Sequence, residues 1–441
     1  MTTSGPLGWQ PDAFVAHVQD VLGELNRRHD RRLVLRAFVD LPPGGTAADS
    51  DIAPRVAWRP PLGQPTEALG QARLCPLTAL RWQHDAPHPG DLARLQDWLA
   101  QHPLLTDAVL VCGFPERHGQ DVIVALRLWL PRLWLTMLPD GRAEVGLVLL
   151  GEDDPALVLS EVRQLLAAVR PAHVNAQALA PKDEPAPQEL ATIGRLVDAM
   201  RAGQAQKVVW SRELLLPGTC QRSTLAARMR AARPEAWTVD VQLPDGQNIL
   251  CATPELLVTC RGDQLTTMAL AGTGSVAQLT ADDARLGDEH GRVRDFMCER
   301  LAALGVTELE LRADIGQAGP LAHRRTHITG RRMARIDALT VALTLHPTPA
   351  LLGLPREKAL ELLEFSESPR GLYGGCLGRL ACDGSGDGEA VALLRGVSER
   401  NGQWHARAGA GLVPQSVPAD EAAEIAAKIA AIVQSIAPGP P

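Results

Sequence analysis

NILCATPELLVTCRGDQLTTMALAGT, residues 248–273, holds two apolar stretches with β-branched residues on either side of a polar break at 261–264. That patterning is the mark of strands. Working outward, WTVDVQL (237–243) and KVVWSRELLL (207–216) read the same way, so residues 207–273 form a run of antiparallel strands. Further toward the N-terminus, an amphipathic pattern over 13–30 is followed by alternating segments at 33–41, 121–130 and 143–150 with Pro- and Gly-rich loops between them. Toward the C-terminus, helical periods at 281–304, 335–345 and 357–368 alternate with the strand-like GCLGRLACD (375–383), EAVALLRGVSE (389–399) and QWHARAGAGLV (403–413). Strands in groups with segregated helices predict an α+β fold with large sheets. APKDEPAPQEL (180–190) has the composition of a connector, which divides the chain into 1–185 and 186–441.

The 441 residues are 45% hydrophobic and 22% charged, ordinary globular usage. A net charge of −7 argues against nucleic acid as a partner, because phosphate binding needs a basic footprint. Eight cysteines occur without a CxxC pair, so neither a zinc site nor a disulfide framework is expected. MTTSGPLGWQPD lacks the charged start and apolar run of a leader, and no segment approaches a membrane span. The expected setting is reducing and cytoplasmic. One Tyr and five Phe against nine Trp leave a mainly aliphatic core.

Several side chains stand out chemically. Lys207 opens a strand and Glu255 follows Pro254 in an apolar stretch. Each is most simply a solvated strand-end charge. In a dry pocket, however, the lysine would lose its proton more readily and the glutamate would keep its own, making a base and an acid. Glu289 lies near a helix start, where the dipole alone explains an acid. Arg395 interrupts an apolar strand and would want a carboxylate. AGAGLV (408–413) lets backbone approach a ligand, though GxG more often means tight packing.

In QSVPADEAAEIAAKIAA (415–431), bracketed by Pro418 and Pro438, Glu421, Glu424 and Lys428 fall together beside the stripe Ile425, Ile429, Ile432, Ile436. Dipole complementation and an i,i+4 pair account for these charges by themselves. Glu289 and Glu424, brought together, would instead offer hard oxygen ligands of the kind magnesium takes.

Taken in order, QKVVWSR, ATPELL, ALAGT, EHGRV, THITG, LHPTPALLGLPREKA, RGLYGG, GEAVALLRG, AGAGLV and SVPADEAAEIAAK resemble the chorismate-utilising enzymes: isochorismate and salicylate synthases and the synthase components for anthranilate and aminodeoxychorismate. The motifs span 207–428. The resemblance implies two large, mainly antiparallel sheets flanked by helices, with 1–185 as the divergent part of the same body. It also implies chorismate as substrate and Mg2+ as cofactor. By the same resemblance, Lys207 is the base that activates water and Glu255 the acid that protonates the departing C4 hydroxyl. Glu289 and Glu424, with Glu421 close by, are the metal ligands. Tyr373, Arg395, Lys428, Gly409 and Gly411 form the carboxylate-binding side, while Gly272, Thr273, His327 and Thr348 occupy pocket-lining positions.

Lysine at 207 resembles the water-using branch, whereas the aminating members usually carry glutamine there and draw ammonia from an amidotransferase partner. No such partner is expected here, since water needs a base to become a competent nucleophile. Three positions depart from the family pattern: Gly274 for arginine, Ala422 for tryptophan and Ile425 for threonine. The expected activity is isochorismate synthase, feeding menaquinone or siderophore formation. A salicylate synthase and a non-catalytic chorismate-binding paralogue are the alternatives.

Overall fold

The computed structural model describes residues 16, 18–20, 32–40, 52–61, 63, 66–83, 86–103, 106–138, 142–150, 153–169, 186–274, 276–280, 284–318 and 321–437. The amphipathic segment at 13–30 lies mostly outside them. Two antiparallel sheets, of eleven and twelve strands among the described residues, face one another, with helices on their outer surfaces. Both sheets draw on both parts of the chain. In the first, Arg55–Arg59 pairs with Trp237–Gln242, setting Trp58 opposite Val239 and Val56 opposite Val241. In the second, Asp107–Cys112 pairs with Cys376–Ala381, setting Val111 opposite Leu377.

Alternation along these strands sends one set of side chains inward. Val56, Trp58, Val239, Val241 and Ile249 of the first sheet meet Val109, Val111, Trp129, Leu377 and Val391 of the second in one buried cluster. The helix Ala338–Leu345 is buried along its whole length, as its continuous apolar sequence requires. The C-terminal helix Pro418–Ile436 buries the isoleucine stripe: Ile425, Ile429 and Ile436 are fully buried and Ile432 is 2% exposed. Each such side chain contributes roughly 1.5–3 kcal/mol by leaving water. A buried ionic bridge also ties the two parts together. Asp240 accepts from Arg55 Nη1 at 2.5 Å and from Arg222 Nε at 2.7 Å.

Two segments that read as single strands are each divided between the sheets. Asn248–Thr253 lies in the first sheet and Leu256–Arg261 in the second, with Pro254 and Glu255 crossing between. Likewise Gly388–Ala392 lies in the second and Gly396–Arg400 in the first, with Leu393–Arg395 crossing. The two crossings run side by side, joined by Ala252 N–H to Arg395 C=O (3.2 Å) and Ala392 N–H to Glu255 C=O (3.1 Å). The connector reading of 180–190 also needs correction at its end. Residues 187–190 begin the helix Pro187–Arg201, whose buried Glu189 is 3.0 Å from Arg212 Nε of the neighbouring strand.

Candidate active site

The paired crossings open a cleft between the sheets. Lys207, Glu255, Gly272, Thr273, Glu289, Tyr373, Arg395, Gly409, Gly411 and Lys428 all line it, although they come from eight different segments. Lys207 begins the strand Lys207–Leu216 and is only 1% exposed. Its Nζ lies 3.0 Å from Oε1 of Glu289, which projects from the helix Ala284–Leu304. Gly411, on the strand Gln403–Leu412, makes room for this pair. A Cβ there would overlap Glu289 Oε1 and come within 2.9 Å of Lys207 Cε. The glycine is therefore a steric requirement of the ion pair.

Glu255 is buried at its crossing, and burial pushes its carboxyl up to about 7. Thr348, which donates to Oε1 at 3.2 Å, and the charges of Lys207 and Arg395 oppose that rise without cancelling it. The carboxyl is thus half protonated near neutrality, the state that suits a proton donor. Arg395 sits at φ +59°, a left-handed conformation that costs a non-glycine residue roughly 1 kcal/mol. This turn aims its guanidinium into the cleft, and burial lowers its pKa to about 10.

The nearest partner of Arg395 is His323, a residue the motifs did not single out. Arg395 Nη2 lies 2.6 Å from His323 Nε2, and His323 Nδ1 lies 3.1 Å from Thr273 Oγ1. Guanidinium only donates, so Nε2 accepts and Nδ1 carries the hydrogen. Burial, with Arg395 and Lys428 nearby, keeps this ring neutral by driving its pKa well below the usual histidine value. A bulge at Gly272, φ +76°, sets Thr273 opposite His323. His327, chosen from the sequence, lies outside the cleft. It is four residues along the strand Leu321–Arg331, about 13 Å away at strand spacing, opposite Met268 and 3.8 Å from Asp314. Both histidines have the same strand parity, so only the register separates them. Arg407 and Leu394 also line the cleft without having been singled out, and no motif chemistry marked them.

On the C-terminal helix, Lys428 donates to Gly409 C=O at 2.9 Å and to Glu424 Oε1 at 2.6 Å. The i,i+4 pair therefore exists, and its lysine is part of the cleft wall. Glu421 is 1% exposed, does not line the cleft, and accepts from Ser416 Oγ at 2.7 Å. Ala422 and Ile425, two of the departures from the family pattern, are buried in the core beneath this helix.

Among the described residues no three acid, histidine or cysteine side chains converge as a metal cage. Magnesium does not need one, since one or two carboxylates completed by ligand oxygens and water is its ordinary arrangement. Glu289 lies against Gly411, and Lys428, which holds Glu424, meets the backbone carbonyl of Gly409 two residues along the same strand. One carboxylate lining a cleft that also carries cations, with a second held by the cleft-lining Lys428, is a donor set compatible with an ion shared with an anionic ligand. No described helix is long and apolar enough to cross a membrane, and all eight cysteines are free thiols.

Known proteins resemble this chain in sequence and in fold. The isochorismate synthase EntC of Escherichia coli is 32% identical over 235 residues, covering 49% of this chain and 59% of that protein. A putative isochorismate synthase of Mycobacterium tuberculosis is 33% identical over 272 residues, covering 56% and 72%. Anthranilate synthase component 1 of Streptomyces coelicolor is 31% identical over 243 residues, covering 52% and 47%. The chain thus matches about half the length of some of these relatives and nearly three quarters of another. In structure, the menaquinone-specific isochorismate synthase of E. coli superposes with a TM-score of 0.74 at 21% identity, covering 97% of this chain and all of that one. Anthranilate synthase component I of Streptococcus pneumoniae gives 0.64 at 18%, covering 85% and 93%, so the fold is common to both activities. Residues 158–434 match the family described as chorismate binding enzymes, well over half of the chain, and with the fold in agreement the protein belongs to that family.

Proposed function

We propose that this chain is an isochorismate synthase, converting chorismate to isochorismate with magnesium. The observation that carries the reading is a buried carboxyl half protonated near pH 7, Glu255, facing the same cleft as a buried lysine, Lys207. In its amine form Lys207 takes a proton from water as the oxygen attacks C2 of the ring. Both ring double bonds shift, C1=C2 to C1=C6 and C5=C6 to C4=C5, and the C4 hydroxyl leaves as water with the proton of Glu255. One water enters and one leaves, so the reaction is an isomerisation. Lysine at this position favours water over ammonia as nucleophile, and no amidotransferase partner is required.

Glu289 and Glu424 would hold the magnesium ion, with Glu421 behind them. When bound, the ion supplies positive charge for the ring carboxylate. The second carboxylate of the substrate meets Arg395, whose guanidinium is steadied by neutral His323, with Tyr373 and Lys428 on the same side. Chorismate incubated with the protein, with and without magnesium, should give isochorismate without pyruvate, and Lys207→Ala should abolish it in a folded protein. Salicylate with equimolar pyruvate would assign a salicylate synthase instead. An aminated product with ammonium would assign an aminating component, and no magnesium-dependent product would assign a binding paralogue.

A further inference from the structure

The loop behind Glu255 is held from the N-terminal part of the chain. Thr348, 1% exposed, donates to the Glu255 carboxyl, and its loop is pinned by two side chains. The first is Arg356, which has no solvent exposure and reaches the carbonyl oxygens of Thr344 (3.4 Å), His346 (3.2 Å) and Pro347 (3.4 Å). Its guanidinium carbon stacks 4.6 Å from the centroid of Trp82 and 5.0 Å from that of Phe296. Trp82 belongs to the strand at 79–83, well before the family-matched region. The second is His346, whose Nε2 lies 3.1 Å from Gly113 C=O. A carbonyl only accepts, so Nε2 carries the hydrogen. Burial and the Arg356 charge hold the imidazole neutral, with its pKa down at about 4.

We propose that Arg356, clamped between Trp82 and Phe296, is a positioning residue for the proton donor: it fixes 346–348 so that Thr348 stays bonded to Glu255, and through Trp82 the N-terminal part of the chain takes part in catalysis. The inference rests on the reading of Glu255 as the acid. The planar fork of arginine suits a set of three converging carbonyls, and the point charge of lysine does not replace it. The charged groups that face Glu255, Lys207 from its strand and Arg395 from the neighbouring crossing, favour its ionised form, as the Thr348 bond does. Loosening the loop removes only the Thr348 contribution, so the carboxyl should hold its proton to higher pH.

The test uses Arg356→Lys and, as an independent cut of the same strut, Trp82→Leu, in the full-length protein. The Glu255 carboxyl is titrated by infrared spectroscopy without substrate, its band assigned by its loss in Glu255→Gln. Both variants should move the titration midpoint upward, and in turnover both should lower kcat by roughly ten- to a hundredfold while KM stays within about twofold, as expected for a misplacement of order 1 Å. A midpoint unmoved in Arg356→Lys overturns the proposal whatever its turnover, since a purely structural arginine would leave it in place. A wild-type protein that does not turn over chorismate would overturn the reading of Glu255 as the acid, a result separate from the substrate-free titration.

Discussion

Glu255→Gln should make the protein more stable and nearly inactive, and the stability gain should depend on pH. In the folded protein the Glu255 carboxyl holds its proton to about 7, against an ordinary 4.5 for glutamate. The cause is burial, and the folded state therefore binds this proton more tightly than the unfolded chain. Below about pH 4.5 both states are protonated and the residue costs nothing. Between 4.5 and 7 the unfolded chain releases its proton first, so stability falls as pH rises, and above 7 the full penalty remains. At about 1.4 kcal/mol per pH unit the penalty reaches about 3 kcal/mol. Glutamine keeps the shape and an oxygen for Thr348 to bond, but has no proton to lose. In urea unfolding the variant should match the wild type at pH 4.5 and exceed it by about 3 kcal/mol at pH 8, while its turnover drops by about 100- to 10,000-fold. A stability difference that is the same at both pH values, or that grows toward acid, would refute the claim that burial holds the carboxyl protonated.

Further outcomes follow from particular contacts. Gly411→Ala drives a methyl into the Lys207–Glu289 pair and should lower kcat by about a hundredfold with normal far-ultraviolet dichroism. Asp240→Ala leaves Arg55 and Arg222 without their shared carboxylate and should cost about 3–5 kcal/mol of stability in denaturant, with little change in KM for the folded fraction. Ile429→Ala cuts a cavity under the C-terminal helix and should cost about 2–5 kcal/mol, measured the same way. Exchanging His323 for Asn should raise KM for chorismate severalfold through its loss from Arg395, whereas His327→Asn should leave KM unchanged because that ring lies outside the cleft.

The sequence by itself determined the strands at 121–130 and 207–216, the buried stripe of the C-terminal helix, and most of the cleft-lining residues, including Lys207, Glu255, Glu289 and Arg395. Hydrophobic period reports which face of an element is buried, and that is a local property. Only the tertiary structure decided that the runs through Glu255 and Arg395 change sheets and meet at adjacent crossings. Alternation continues across such a crossing without any local mark beyond Pro254. It also decided between His323 and His327, which share strand parity and differ only in register, set by the bulge at Gly272. The part played by Trp82 was equally invisible, since a cation stacked beneath a ring 274 positions earlier in the chain leaves no periodic trace in either segment. Register, sheet crossing and long-range stacking are set by which elements meet, and no window of sequence contains both partners.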